Sequence, residues 1–354
     1  MPRSFDRKLP VLQTVLTLCG ILLLVLLFRN VSLDILIRSL DKPLLLAVAL
    51  LIPYSMTFFL HATAWTRLFP PGIPVKVHKL AFIRLVSEPF TLTLPGGAMI
   101  GESLKAALAS KTYGISLPES GASVLVYRFG LGASQIVFIA FGLFLAYPQL
   151  QSQSVQIIGR EGLGNLVLSV ATVFAVFLIG LFLLVNWFQP ARRFLAVESV
   201  SVGSSWKKKW VQIVEGIQKF EASTITQIKE RIGSFLSALV LFFFGWIIGV
   251  VETFLMARSL GIPLTIEQAF IVESMGSIFR IAGVFLPSGI GGQDWAYTAL
   301  LSLYAVQDPL AMGASFAILK RVREGAWIAA GFLTLSLTLG GKAVRAILAQ
   351  PASR

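Results

Sequence analysis

The sequence predicts an all-α integral membrane protein with about six spanning helices plus two re-entrant helical hairpins in an inverted repeat. Three observations lead there. The 354 residues are 56% hydrophobic and only 13% charged, whereas soluble domains carry about 25% charged residues and cannot hide this much apolar surface. Several apolar runs approach the roughly 20 residues needed to cross a bilayer core. Two further apolar regions, "LTLPGGAMIGESLKAAL" (92–108) and "VFLPSGIGGQDWAYTAL" (284–300), interrupt themselves with proline, glycines and a carboxylate 192 positions apart.

Taken in order, spans are expected at about 11–28, 43–66, 118–147, 164–188, 235–257 and 309–338. The first run follows "RSFDRKLP" and has the look of a signal peptide. The sequence "FRNVSLD" stands where a small-residue cleavage site would be, so the run is expected to stay as a span. The regions at about 75–111 and 265–304 contain the Pro/Gly breaks and are expected to enter the bilayer and return to the same side. Such backbone is tolerated at depth only where protein or a water-filled cavity satisfies its polar groups. The predicted turns are Pro95, Gly96, Gly97 and Gly101 in the first hairpin, and Pro287, Gly289, Gly291 and Gly292 in the second. The breaks serve as tight turns, for which glycine is suited, and as a way to present helix ends near the midplane. Neither is a nucleotide loop, since no strand precedes it and no GK[ST] follows.

Charge gives the orientation. Residues 1–10, 67–84, 105–111, 189–233 and 342–354 hold 20 Lys/Arg, while 29–42, 148–163 and 257–267 hold five. The basic side is expected to be cytoplasmic, with both termini on that side. The net charge of +13 is spread over short loops, so it points to membrane orientation and not to nucleic acid. In the loop between the halves, Trp206, Trp210, Ile213, Ile217 and Phe220 recur at helical spacing beside Lys207, Lys208 and Lys209. This predicts an amphipathic helix at about 204–231, either on the anionic inner leaflet or packed on the protein itself.

The repeat halves are about 43–188 and 235–338. At an offset of 192, Leu94-Pro95 meets Leu286-Pro287, Gly97 meets Gly289, Glu102 meets Asp294, Gly121–Ser123 meets Gly313–Ser315, and Arg128 meets Lys320. Three spans lie between the hairpins, an odd number, so the second enters from the opposite face. That is an inverted repeat, a common plan among secondary transporters.

Ionisable side chains inside spans are costly, by about 2.5–3.5 kcal/mol on insertion scales, unless paired or hydrated. Candidates for binding a substrate are Arg128, Lys320, Arg323, Lys105 and Arg280; candidate coupling or cavity carboxylates are Glu102, Asp294, Glu273, Glu324 and Glu88. Lys320, Arg323, Glu324 and Trp327 follow i, i+3, i+4, i+7 spacing and form one stripe, with Arg321 pointing elsewhere. Glu102 is expected to face Lys320 or Arg323, and Asp294 to face Arg128. The alternative is internal neutralisation, for example Lys320 with Glu324 and Glu102 with Lys105. With Arg321 counted beside these candidates, six intramembrane cations stand against five acids, which suits a phosphate held by a guanidinium fork. Glu252 stands between an interfacial and a functional reading. Cys19, the single cysteine, excludes an intramolecular disulfide, and His61 and His78 lack the neighbours of a metal site. No cofactor is expected.

At these residues the chain resembles a known family, the flippase-like membrane domain of lysyl-phosphatidylglycerol synthases and its stand-alone relatives. The resemblance rests on "LPGGAMIGESLKAALASKTYGISLPESGASVLVYR" and "LPSGIGGQDWAYTALLSLYAVQDPLAMGASFAILKRVREGAW", and the "LKRVRE" form is closest in look to the hopanoid-biosynthesis-associated branch. It extends over roughly residues 10–340. By position, Gly101-Glu102, Lys105, Arg128, Gly291-Gly292, Asp294, Lys320 and Arg323 match the family's polar positions. Two departures stand out: Tyr127 occupies the place of an acidic partner to the arginine, and Gln293-Asp294 replaces a glutamate.

The resemblance implies movement of a lipid with a phosphate or other polar head group between leaflets. No ATP-binding motif is present, so a gradient or a partner is expected to drive it. Two other classes stay open: a membrane-embedded head-group transferase using carboxylates as acid and base, and a non-catalytic subunit acting with lipid-biosynthesis enzymes.

Overall fold

The computed structural model describes residues 29, 31, 33–94, 97–152, 154–155, 159–183, 224, 230–282, 292–302, 304 and 308–348. Among the described residues every regular element is helical: α1 (Leu33–Ser39), α2 (Pro43–Arg67), α3 (Val77–Thr93), α4 (Gly97–Tyr113), α5 (Leu117–Ser152), α6 (Leu163–Leu183), α7 (Ile232–Ser259), α8 (Ile266–Ala282), α9 (Gly292–Ser302) and α10 (Pro309–Leu348). Helices α2, α5 and α7 are each long and apolar enough to cross a membrane. Their outward residues, such as Leu51, Phe59, Phe141, Phe144, Val240 and Phe244, are large, apolar and exposed. In water this surface would be untenable; in lipid it is the expected exterior. The chain is an all-α integral membrane protein. The expected first span at 11–28 and most of the amphipathic segment 204–231 lie outside the described residues.

Local sequence sets the helix starts. Ser116 and Glu119 form a reciprocal cap at α5: the Ser116 N–H donates to Glu119 Oε2 at 3.0 Å, and the Glu119 N–H donates to Ser116 Oγ at 3.4 Å. Thr265 and Gln268 repeat the arrangement at α8, at 2.9 and 3.2 Å. Each pair satisfies backbone donors that a helix start leaves open. At α10, Asp308 caps and Pro309 takes the first helical position, where its missing N–H costs nothing.

In each of the two regions a pair of described helices, α3 with α4 or α8 with α9, precedes a long one. Helices α3 and α8 are each 17 residues long, and α5 and α10 begin 192 positions apart, at Leu117 and Pro309. Gly97 and Gly101 were expected to be turn glycines. Both instead lie in α4 outside the left-handed region, and what they permit is close approach. A β-carbon on Gly97 would strike the Phe90 and Thr91 carbonyl oxygens, and one on Gly101 would strike the Thr91 hydroxyl. Since 97 faces 90–91 and 101 faces 87–91, α3 and α4 run antiparallel at near contact. Pro95, Gly96, Pro287, Gly289 and Gly291 lie outside the described residues.

The chain forms two compact units. Unit 1 comprises Met1–Phe58, Ala81–Leu104 and Ile247–Arg354; unit 2 comprises Phe59–Leu80 and Lys105–Trp246. In unit 1, α8 packs on α9, α9 on α10, and α10 on α1. The contacts of Thr298 with Gly313, Tyr297 with Phe316 and Asp294 with Arg321 make α9 and α10 antiparallel. Unit 2 has an aromatic core: the Trp65 indole donates to Ser123 Oγ at 3.3 Å, and Tyr127 packs against both Trp65 and Phe242. In the same unit α5 packs on α6, and Phe138 stacks on Trp246.

Candidate functional site: a buried ion-pair network in unit 1

Helix α7 is apolar along nearly its whole length, yet it carries Glu252 at 3% exposure. An isolated carboxylate there would cost several kcal/mol. Its partner comes from α10: the Lys320 ammonium donates to Glu252 Oε1 at 2.8 Å and to Glu273 Oε2, on α8, at 3.0 Å. One ammonium thus ties three helices together. Glu273 Oε2 also accepts from the Thr253 hydroxyl at 2.6 Å and the Tyr297 hydroxyl at 3.2 Å. The Gln293 amide donates to that same tyrosine at 3.1 Å. Tyr297 reaches Glu273 because Gly276 leaves room: a β-carbon at Gly276 would lie 2.6 Å from the tyrosine ring.

A second pairing flanks the first. Arg321 Nε and Nη2 donate to the two oxygens of Asp294 at 2.8 Å each, the bidentate geometry that arginine favours with carboxylates. Arg321 Nη1 also donates to Glu324 at 2.5 Å. Arg323 Nε stands 3.6 Å from Glu252, and its guanidinium lies over the Tyr54 ring at 4.3 Å. The Tyr54 hydroxyl donates to Glu88 at 3.1 Å, and Arg84 lies 3.9 Å from the same carboxylate. Arg84 also donates to the Thr57 carbonyl at 2.8 Å and covers the Phe58 ring at 4.4 Å. Trp327 completes an aromatic group with Tyr54 and Phe58.

The candidate residues therefore fall into groups. Lys320, Arg323, Glu273, Asp294, Glu324 and Glu88 meet in this one network. Glu102 is half-buried in the second turn of α4, and Asp294 sits in the first turn of α9. Lys105 and Arg128 belong to unit 2. Lys105 is buried there with its ammonium 5.5 Å from the Tyr127 ring centre, so Tyr127 offers a π face where the resemblance led to a carboxylate. Arg128 is half-buried on α5, at the same distance from its helix start as Lys320 from that of α10. Arg280 lies on α8, and its side chain is not among those described.

Several expectations are corrected. Asp294 is clasped by Arg321, and Lys320 spans Glu252 and Glu273 instead of pairing with Glu324 or awaiting Glu102. Arg321, set aside as pointing elsewhere, is a principal ion-pair partner, because α10 is covered by α7 and α8 on one flank and by α9 on the adjacent one. Arg84 and Lys105, counted with the loops, are buried on helices, though the charge asymmetry survives their removal. Tyr54, Tyr297 and Arg84 were missed, and Glu252 was left undecided. For Glu252 the signal was present, a lone acid deep in an apolar run. For the tyrosines nothing in the sequence distinguishes them from packing residues.

Residues 11–323 match the family model described as the lysylphosphatidylglycerol synthase TM region. The chain belongs to that family. It is a membrane domain linked to lipid handling, and the matched stretch contains Glu252, Glu273, Asp294, Lys320 and Arg323. Comparison with curated proteins and with solved structures gives no match.

Proposed function

We propose that this protein is a transporter that moves a polar-headed or anionic lipid between the leaflets of a bacterial-type inner membrane, with both termini in the cytoplasm. The carrying observation is the Glu252–Lys320–Glu273 bridge joining α7, α8 and α10 among largely apolar helices. Hydrophobic residues of similar volume would hold such helices at least as well, so the retained charges favour a role in binding. Arg323, at the edge of the bridge, presents a guanidinium to the lipid phosphate; Lys320 and the carboxylates position it. Membership of a lipid-handling membrane family supports the same reading, and the loop charge asymmetry supports the orientation. In this reading Arg128 of unit 2 is the repeat counterpart of Lys320, and the two halves rock to give alternating access, driven by a gradient or a partner protein.

The test is reconstitution of the full chain in liposomes with labelled phospholipids, following both leaflet distribution and lipid mass. A changed leaflet with unchanged mass supports transport. A changed mass would make it a head-group transferase, and no change in either would make it a non-catalytic subunit.

A further inference from the structure

Glu252 differs from the other deeply buried carboxylates of unit 1 in how it is held. Both oxygens of Asp294 accept from Arg321, and Glu273 Oε2 accepts from Thr253, Tyr297 and Lys320. Glu252 meets Lys320 and Arg323 through Oε1 alone, at 2.8 and 3.6 Å. Among the described residues no donor meets its Oε2, although the side chain is only 4% exposed. Side-chain oxygens buried this deeply are normally hydrogen-bonded. An ionised carboxylate oxygen has lone pairs to offer, and a proton is the ligand it takes without a coordination shell. A metal ion fits less well. The Lys320 ammonium already stands beside this carboxylate, and among the described residues no three acidic, His or Cys side chains converge to hold an ion.

The ionisable groups around Glu252 come from several helices. Lys320 and Arg323 face it from α10, whose Arg321 and Glu324 pair on the other flank with Asp294 of α9 in reach. Glu273 stands across Lys320 on α8, with Arg280 two turns further along that helix. Tyr297 of α9 donates to Glu273, and Tyr54 of α2 lies under the Arg323 guanidinium. Glu88 and Arg84 of α3 follow beyond Tyr54.

Both ion pairs described between α7 and α10 end on Glu252. A proton on Oε2 makes the side chain neutral and weakens both pairs together. The Thr253–Glu273 hydrogen bond, which joins α7 to α8, keeps its partners. Protonation thus loosens α10 from α7 while α7 stays tied to α8. It also removes a negative charge beside Arg323, the residue assigned above to the lipid phosphate.

We propose that Glu252 is the proton-binding site that couples transport to a proton gradient, one proton and one lipid phosphate being taken up together. This rests on the transport reading above and names its driving ion. The proton comes from water on the acidic side, forms one O–H bond with Glu252 Oε2, and returns to water on the other side. No other bond forms or breaks. Ionisable side chains within spans commonly mark such proton relays.

Two measurements test the site and the coupling separately. In the first, fluorescent phosphatidylglycerol is followed in proteoliposomes with the membrane potential clamped at zero, under a pH gradient or a sodium gradient. With one proton per lipid, a gradient of about one pH unit is equivalent to a leaflet ratio of about ten. The label is expected to accumulate by that factor in the leaflet on the alkaline side, and to stay even under the sodium gradient. Exchange that ends even under the pH gradient, or follows sodium instead, overturns the coupling and leaves the transport reading standing. The second measurement needs no transport. Infrared difference spectra of the detergent-solubilised chain, acidic against alkaline buffer, read the C=O stretch of a carboxylic acid out of contact with water. The parent is expected to gain that band on acidification, and Glu252→Gln is expected to lack it. No such band in the parent, or one unchanged in Glu252→Gln, overturns the site. If the band belongs to Glu252 but no lipid changes leaflet in the parent, the transport reading falls and the proton site stands.

Discussion

Lys320 satisfies two buried carboxylates at once, so removing it does more than remove a charge. Lys320→Met removes the ammonium shared by the buried Glu252 and Glu273 and is expected to destabilise the protein by about 3–5 kcal/mol. The triple variant Lys320→Met, Glu252→Gln, Glu273→Gln removes the stranded charges and is expected to recover most of that loss. Thermal unfolding in detergent compares them. A triple variant no more stable than Lys320→Met would show that the bridge does not act as one unit. Arg128→Ala, in unit 2, is expected to abolish transport while the protein still inserts at normal levels; unchanged transport would remove Arg128 from the transport reading. The limit of the sequence is plainest at this scale. It marked Lys320, Glu273 and Asp294 because charge in an apolar run is costly wherever it lies. It did not pair them correctly, because Arg321 and Lys320 are neighbours in the chain but are covered by different helices.

Helices were more legible than their contacts. The apolar runs anticipated α2, α5, α6, α7 and α10, and the Pro-Gly motifs fall in sequence between α3 and α4 and between α8 and α9. Length and hydropathy are properties of the chain alone, whereas the reason for a glycine depends on what packs against it. Gly101 shows this, since its hydrogen atom faces the Thr91 hydroxyl across two antiparallel helices. Gly101→Ala is expected to cost about 1–3 kcal/mol by overpacking, and Thr91→Ala in the same chain should return part of it. The check is the unfolding midpoint of the single and double variants. A Gly101→Ala protein as stable as the parent would contradict the close approach.

At the scale of the whole molecule, the exposed apolar surface belongs in lipid, and the loop charges are the ground for the proposed orientation. With Cys19 replaced by serine, a cysteine introduced at Gly203 is expected to react with an impermeant maleimide only after the membrane is opened. One introduced at Arg160 should react from outside in intact cells. Reversal of the two would overturn the orientation, and external labelling of both would overturn the number of crossings between them. Function is the least legible property at this scale, because it depends on how the Glu252–Lys320–Glu273 bridge is assembled from three helices far apart in the chain.

The most direct measurement of the central claim is therefore leaflet exchange itself, comparing the parent protein with the charge-free triple variant in the same liposomes. The parent is expected to move labelled phospholipid between leaflets with its mass unchanged, and the folded triple variant is expected to fall to the rate of protein-free vesicles. Equal rates for parent and triple variant would contradict the claim that the Glu252–Lys320–Glu273 bridge serves lipid transport.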